Sequence, residues 1–173
     1  MHCDIKSLNY LVSDNFHIKL ADMGDARLFD AKVKEGESPP LPARNWAAPE
    51  LLMTQDIGGG TDESNNNHNT PPTPIPIPIP IYTKECDVYG VAMVLAEIAC
   101  LEIPFGDIPG STSPKEWVRM VGMDQNRPKL PIDLPRKVAN VIKKGWEIDP
   151  KKRCTAEEML EALVESTNAA VQV

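Results

Sequence analysis

The sequence predicts a mainly α-helical domain with one small β-hairpin near its start. Three observations predict it. Thr155-Ala156-Glu157-Glu158 and Ser113-Pro114-Lys115-Glu116 carry helix-start chemistry, an N-cap hydroxyl with glutamate three residues on. The stretch from Val88 to Ala99 is apolar nearly all round, as at the centre of a helical core. Two short apolar or alternating runs, Tyr10–Val12 and His17–Ala21, flank the polar turn Ser13-Asp14-Asn15.

The elements follow in order. After the hairpin, the polar stretch Asp30–Arg44, with Pro39, Pro40 and Pro42, reads as a loop. Ala47–Met53 reads as a short helix. Residues 54–82 differ in kind: Gly58-Gly59-Gly60, Asn65-Asn66-Asn67, then a Pro-Ile alternation to Ile81. Proline lacks a donor and pushes the residue before it out of the helical region. The stretch therefore reads as an extended, polyproline-like or disordered insertion. Pro71 and Pro74 form one PxxP, the form an adaptor domain reads, without a flanking arginine. From Lys84 the pattern is helical. Val88, Val91, Ala92, Val94, Leu95, Ile98 and Ala99 cover most of one helix. Pro135–Trp146 repeats its apolar residues at helical spacing. Met159, Leu160, Leu163 and Val164 give an amphipathic last helix.

Composition narrows the class. The chain has 173 residues, enough for one core, and a net charge of −7. An acidic balance argues against a general nucleic-acid binder. From Lys115 to Arg153 basic residues outnumber acidic ones, which fits a solvated mixed-charge surface. The four cysteines, Cys3, Cys86, Cys100 and Cys154, form no CxxC pair and no metal-ligand spacing with the three histidines. No apolar run is long enough to span a bilayer. Reduced thiols and a cytoplasmic location are expected.

The chemistry gathers at the start of the chain. His2-Cys3-Asp4-Ile5-Lys6-Ser7-Leu8-Asn9 precedes the hairpin and Ala21-Asp22-Met23-Gly24 follows it. A hairpin returns the chain to its origin, so Asp4, Asn9 and Asp22 converge at one end of it. Two carboxylates and an amide oxygen make a hard-oxygen site suited to Mg²⁺ that also holds phosphates. Lys6 is placed to neutralise a phosphoryl group, and Gly24 permits a close backbone bend.

These residues resemble protein kinase motifs. HCDIKSLN is similar to the H-R-D-L-x-x-x-N catalytic loop and ADMG to D-F-G. Trp46-Ala47-Ala48-Pro49-Glu50 resembles the A-P-E end of an activation segment. Glu85-Cys86-Asp87-Val88-Tyr89-Gly90 resembles the start of the family's central helix. Trp146–Arg153 resembles the segment before its last helix. The resemblance covers His2 to about Val164 and implies the C-terminal lobe of a protein kinase fold, residues 1–165, with a tail at 166–173.

The resemblance also implies roles. Asp4 would be the catalytic base and Lys6 would contact the γ-phosphate. Asn9 and Asp22 would ligate Mg²⁺ bound to ATP, and Leu11 would lie under the adenine. His2 and Met23 would join a hydrophobic stack between lobes. Glu50 would pair with Arg153, and Asp87 would accept N–H bonds from the catalytic loop. D-x-K followed by N resembles the serine/threonine pattern. Ser7, Trp46 and Asp87-Val88-Tyr89 resemble its tyrosine-kinase-like branch.

Some positions depart from the pattern. Cys3 stands where arginine is usual, Met23 where phenylalanine is, and Pro42-Ala43 where glycine and threonine are common. Ser38 is the only hydroxyl between Gly24 and Pro49. The sequence has no Gly-rich phosphate loop and no strand lysine with its helix glutamate. It therefore reads as a kinase domain without its N-lobe, which would be its first partner and without which the chain is expected to be inactive. Two functions stay open at this point. One is an ATP-dependent serine/threonine kinase represented in part; the other is a non-catalytic kinase-like binding module or scaffold.

Overall fold

The computed structural model describes residues 1–28, 43–53 and 82–171. The expected loop is described only at Ala43 and Arg44, and the insertion only at Tyr82. Ser38, Pro42, the PxxP and the last two residues lie outside the described residues.

The hairpin pairs β1 (Tyr10–Val12) with β2 (Ile18–Leu20), antiparallel, with Leu11 opposite Lys19. Its turn is closed by Ser13, whose hydroxyl accepts from the His17 amide at 3.1 Å. Phe16 takes φ 60°, a left-handed bend that lets the chain reverse. Neither strand is buried. Leu11, Val12, Phe16 and Ile18 are all exposed, Phe16 at 87%.

Helix α1 (Pro49–Met53) is followed, beyond residues 54–81, by α2 (Lys84–Cys100). At 17 residues α2 is about 25 Å long and is the axis of the core. Cys86, Val88, Tyr89, Ala92, Met93 and Ala96 are its contribution to the main apolar cluster. Burial stops there: Ile98 is 64% exposed, contrary to its expected place on the core face. Ile98 belongs to neither apolar cluster of the described residues, and Leu101 ends the helix at φ 56°.

Helix α3 (Pro114–Val118) starts as its sequence suggests. Ser113 Oγ accepts from the Glu116 amide at 3.2 Å. Only half of the capping box forms, because the Glu116 carboxylate turns to Arg119 at 2.7 Å. The chain then widens into a π turn, Arg119–Met123, closed by the Asp124 amide on the Arg119 carbonyl at 2.8 Å. Trp117, Val118 and Val121 meet Ala47 and Leu52 in a second cluster, with Phe105 edge-on to Trp117 at 5.4 Å.

Helix α4 (Arg136–Gly145) begins after Pro135 and packs on α2 and α5. Its last residue explains how close the three helices come. A Cβ on Gly145 would lie 2.7 Å from Ala92 Cβ and 2.7 Å from Met159 Cε. Helix α5 (Ala156–Val171) opens with a reciprocal capping box: Thr155 Oγ1 accepts from the Glu158 amide at 3.1 Å, and Glu158 Oε2 from the Thr155 amide at 2.8 Å. It continues past residue 165 through most of the expected tail. A helical bundle with one short hairpin is the architecture of a kinase C-lobe, as the sequence motifs imply.

Candidate active site

The segment from His2 to Asn9 is held from below by the first turn of α2. Asp87 Oδ2 accepts the His2 amide at 2.7 Å and Oδ1 the Cys3 amide at 2.9 Å. Cys3 sits at φ 70°. Left-handed backbone costs a non-glycine residue about 1–2 kcal/mol. Two charge-assisted bonds to one carboxylate offset that cost. Gly90, one turn further along α2, lets the segment approach. A Cβ there would lie 2.7 Å from Ile5 Cβ and 3.2 Å from the Ile5 carbonyl oxygen.

His2 joins this segment to the far side of the hairpin. Its Nε2 donates to the Ala21 carbonyl at 2.9 Å, and its Nδ1 accepts from the Asp4 amide at 3.4 Å. The two bonds together assign a neutral ring with the proton on Nε2. The ring is buried.

Three of the candidate residues converge. Lys6 Nζ lies 2.5 Å from Asp4 Oδ2. Asn9 Nδ2 donates to the Asp4 carbonyl at 2.8 Å and to Asp4 Oδ2 at 3.1 Å. A 3-10 turn, Ser7–Asn9, makes this possible by folding Asn9 back, its amide bonded to the Lys6 carbonyl at 3.0 Å. The hairpin then brings in the fourth. Its ladder extends one rung beyond the strands, with the Ala21 amide on the Asn9 carbonyl at 2.8 Å. That rung puts Asp22 next to Asn9. Asp22 takes φ 65°, is exposed, and would lie 3.5 Å from a Cβ on Gly24.

The arrangement fits a hydrated Mg²⁺. Both bonds of the Asn9 side chain use its nitrogen, which leaves Oδ1 as a hard-oxygen donor, and the rung from Ala21 to Asn9 brings the exposed Asp22 within one residue of Asn9 along the ladder. No group of three His, Cys, Asp or Glu side chains suited to a metal occurs among the described residues.

Other candidates stand apart. Leu11 on β1, expected under the adenine, is 56% exposed, and Met23, expected in a stack between lobes, is 57% exposed. Glu50 and Arg153 lie away from the site in a bidentate pair, Nη1–Oε1 at 2.7 Å and Nη2–Oε2 at 2.8 Å. Arg153 also donates to the Glu85 and Glu147 carbonyls, at 2.9 and 2.8 Å. The pair ties α1 to the start of α2 and to the turn before α5. Beside it, burial and then the Glu50 charge push the Cys86 thiol up to about 12. That thiol donates to Glu50 Oε1 at 3.3 Å.

Sequence reasoning missed several participants. Tyr89 is fully buried, with the Arg127 and Arg153 guanidinium groups 5.4 and 5.0 Å from its ring centroid. Burial pushes its hydroxyl up to about 12, and that hydroxyl has no hydrogen-bond partner among the described residues. Glu97 accepts from Ser7 Oγ and from Trp46 Nε1, each at 2.8 Å. Its signal was a lone carboxylate inside an otherwise apolar helical run.

Residues 1–163 match the family model described as protein tyrosine and serine/threonine kinase. The chain belongs to that family. This kinase chain is similar to the serine/threonine-protein kinase CTR1 of Arabidopsis thaliana, with 28% identity over 169 residues, 96% of this chain and 17% of that protein. It is also similar to the RGS domain-containing serine/threonine-protein kinase A of Dictyostelium discoideum, 27% identical over 153 residues, 88% of this chain and 11% of the relative. The kinase chain thus spans less than a fifth of either relative's length. No helix among its described residues is long and apolar enough to cross a membrane.

Proposed function

We propose that this chain supplies the catalytic loop and metal-binding wall of an ATP-dependent serine/threonine kinase of the tyrosine-kinase-like branch. The convergence of Lys6 and Asn9 on Asp4, next to Asp22, carries the reading. Phosphoryl transfer asks mainly for positioning and charge stabilisation. Asp4 takes or orients the proton of the attacking hydroxyl. Lys6, now against Asp4, moves its ammonium to the γ-phosphate when nucleotide is present. Asn9 Oδ1 and the Asp22 carboxylate would hold Mg²⁺, which when bound would supply charge stabilisation to the phosphates. Leu11 presents an apolar side chain to the base. Four free cysteines suit a reducing, cytoplasmic setting.

We also propose that the chain by itself turns over no ATP. The sequence holds no Gly-rich loop and no strand lysine with its glutamate. Val12 and Ile18, paired across the hairpin, form an exposed apolar face that a second lobe would cover, and Leu11 and Met23 are exposed as well. The competing reading, a non-catalytic binding module, is favoured by that same face.

Thermal unfolding with millimolar Mg²⁺–ATP separates the two. The kinase reading expects a rise in melting temperature that Asp22→Ala abolishes. No rise, or a rise indifferent to Asp22→Ala, would refute nucleotide binding at this site and leave the binding module. A phosphotransfer assay in which the chain turns over, and Asp22→Ala does not, would overturn the proposed inactivity.

A further inference from the structure

We propose that Glu97 is a positioning residue through which the segment ending at Trp46 sets the geometry of the catalytic loop. The proposal rests on the kinase reading for what that loop does. It rests on contacts for how the loop is held.

Glu97 lies in the last turn of α2, three residues before Cys100. The C-terminal end of a helix disfavours a negative charge. A half-buried carboxylate there needs donors from elsewhere. It has one from each of two distant segments: the Ser7 hydroxyl on Oε1 and the Trp46 indole N–H on Oε2, both at 2.8 Å. Ser7 and Trp46 are 39 positions apart in sequence and meet at this carboxylate.

Each donor sits at a sensitive place. Ser7 opens the 3-10 turn that folds Asn9 onto Asp4, and it directly follows Lys6. Rotating Ser7 changes the phase of that turn and so the aim of Lys6 and Asn9. Trp46 closes the segment that begins at residue 25, just before Ala47-Ala48 enter the core. The residues before it are anchored on the loop between α2 and α3: Asn45 Nδ2 on the Pro104 carbonyl at 2.7 Å and Arg44 Nη1 on the Thr112 carbonyl at 3.0 Å. A displacement of Trp46 breaks the bond from its indole to Glu97. The carboxylate then has Ser7 as its remaining donor, and the catalytic loop responds.

Nuclear magnetic resonance of the indole N–H groups tests this without nucleotide, so its failure is separate from failure of the Mg²⁺–ATP shift. The chain has three tryptophans, and the Trp46 signal is the one lost in Trp46→Phe. Ser7→Ala removes one donor from Glu97 and leaves the Trp46 side chain itself unchanged. It should displace the Trp46 indole signal, leave those of Trp117 and Trp146 in place, and have no such effect in a Glu97→Ala background. An unmoved Trp46 signal, or the same displacement without Glu97, would overturn the proposal. Where Glu97→Ala does not fold, amide exchange in Trp46→Phe decides. Residues 4–9 should exchange about tenfold faster, as for loss of one hydrogen bond to a charged group, while α4 and α5 are unchanged. Unchanged exchange at residues 4–9 would overturn it.

Discussion

Replacing Arg153 by alanine is expected to remove a large part of the stability of this chain. The guanidinium makes four hydrogen bonds, two to Glu50 and one each to the Glu85 and Glu147 carbonyls. Its side chain is wholly inaccessible, whereas that of Glu50 is 28% exposed. The two ends of the pair are therefore not equivalent. Arg153→Ala strips two carbonyls and leaves a partly buried carboxylate whose donor among the described residues is the Cys86 thiol. Removing one partner of a buried pair costs about 3–5 kcal/mol. Glu50→Gln keeps the shape, keeps one acceptor for the guanidinium and leaves both carbonyl bonds intact. It should cost about 1–2 kcal/mol, the difference between a charged and a neutral hydrogen bond. The double replacement Glu50→Leu with Arg153→Met removes both charges and fills the space. It should recover much of the loss, because desolvation of the pair opposes its Coulombic gain. Urea unfolding followed by circular dichroism measures all three. The expected order of stability is wild type, Glu50→Gln, the double variant, then Arg153→Ala. An Arg153→Ala loss below about 1 kcal/mol would refute the reasoning. So would strict additivity of the two single replacements with apolar residues, since residues in contact must couple.

Four further outcomes follow from packing, capping, titration and thiol exposure. Gly90→Ala should destabilise by about 1–3 kcal/mol in urea despite its better helix propensity, because the added methyl would meet Ile5 at 2.7 Å; a gain in stability would show that the loop yields. Thr155→Ala should cost about 1 kcal/mol by the same measurement and speed amide exchange in the first turn of α5, since it breaks half of a reciprocal cap. The raised Cys86 pKa predicts how stability falls in alkali. The unfolded thiol ionises near 9 and the folded one only near 12, so the protons bound by the folded state exceed those of the unfolded state between these values. Stability should be level below about pH 9 and fall between 9 and 12, and Cys86→Ser should flatten that part of the profile. Iodoacetamide at neutral pH, read by peptide mass spectrometry, should modify Cys100 before the buried Cys3, Cys86 and Cys154.

What the sequence made legible was local. Thr155 and Glu158, or Ser113 and Pro114, declare a helix start within four residues, and both starts are present. The hairpin showed in two short runs around Ser13-Asp14-Asn15. The candidate chemical residues came from motif spacing, and the hairpin's register sets Ala21, the neighbour of Asp22, opposite Asn9. What stayed hidden depends on distant partners. Glu116 was placed for a capping box, but Arg119, one turn on, competes for its carboxylate. The π turn at 119–123 has no marker in its residues. Ile98 shares the apolar character of its helix and lies in solvent because the core ends at Ala96. Glu97 and Arg127 act across 51 or more and 19 residues of chain respectively, a range that periodicity does not reach.

Helix α2 receives the His2–Asn9 segment twice, at Asp87 and at Glu97, ten residues and about 15 Å apart. A rod gripped at two points fixes orientation as well as position. Placement errors in the hairpin or the loops therefore do not accumulate along the chain on their way to Asp4. Residues 54–81 join α1 to that rod, and the loop's coordinates are referred to the rod itself and not to the path that leads there. Changes in length on that path leave the frame of reference untouched, whereas a change of pitch within α2 would turn the loop at both ends at once.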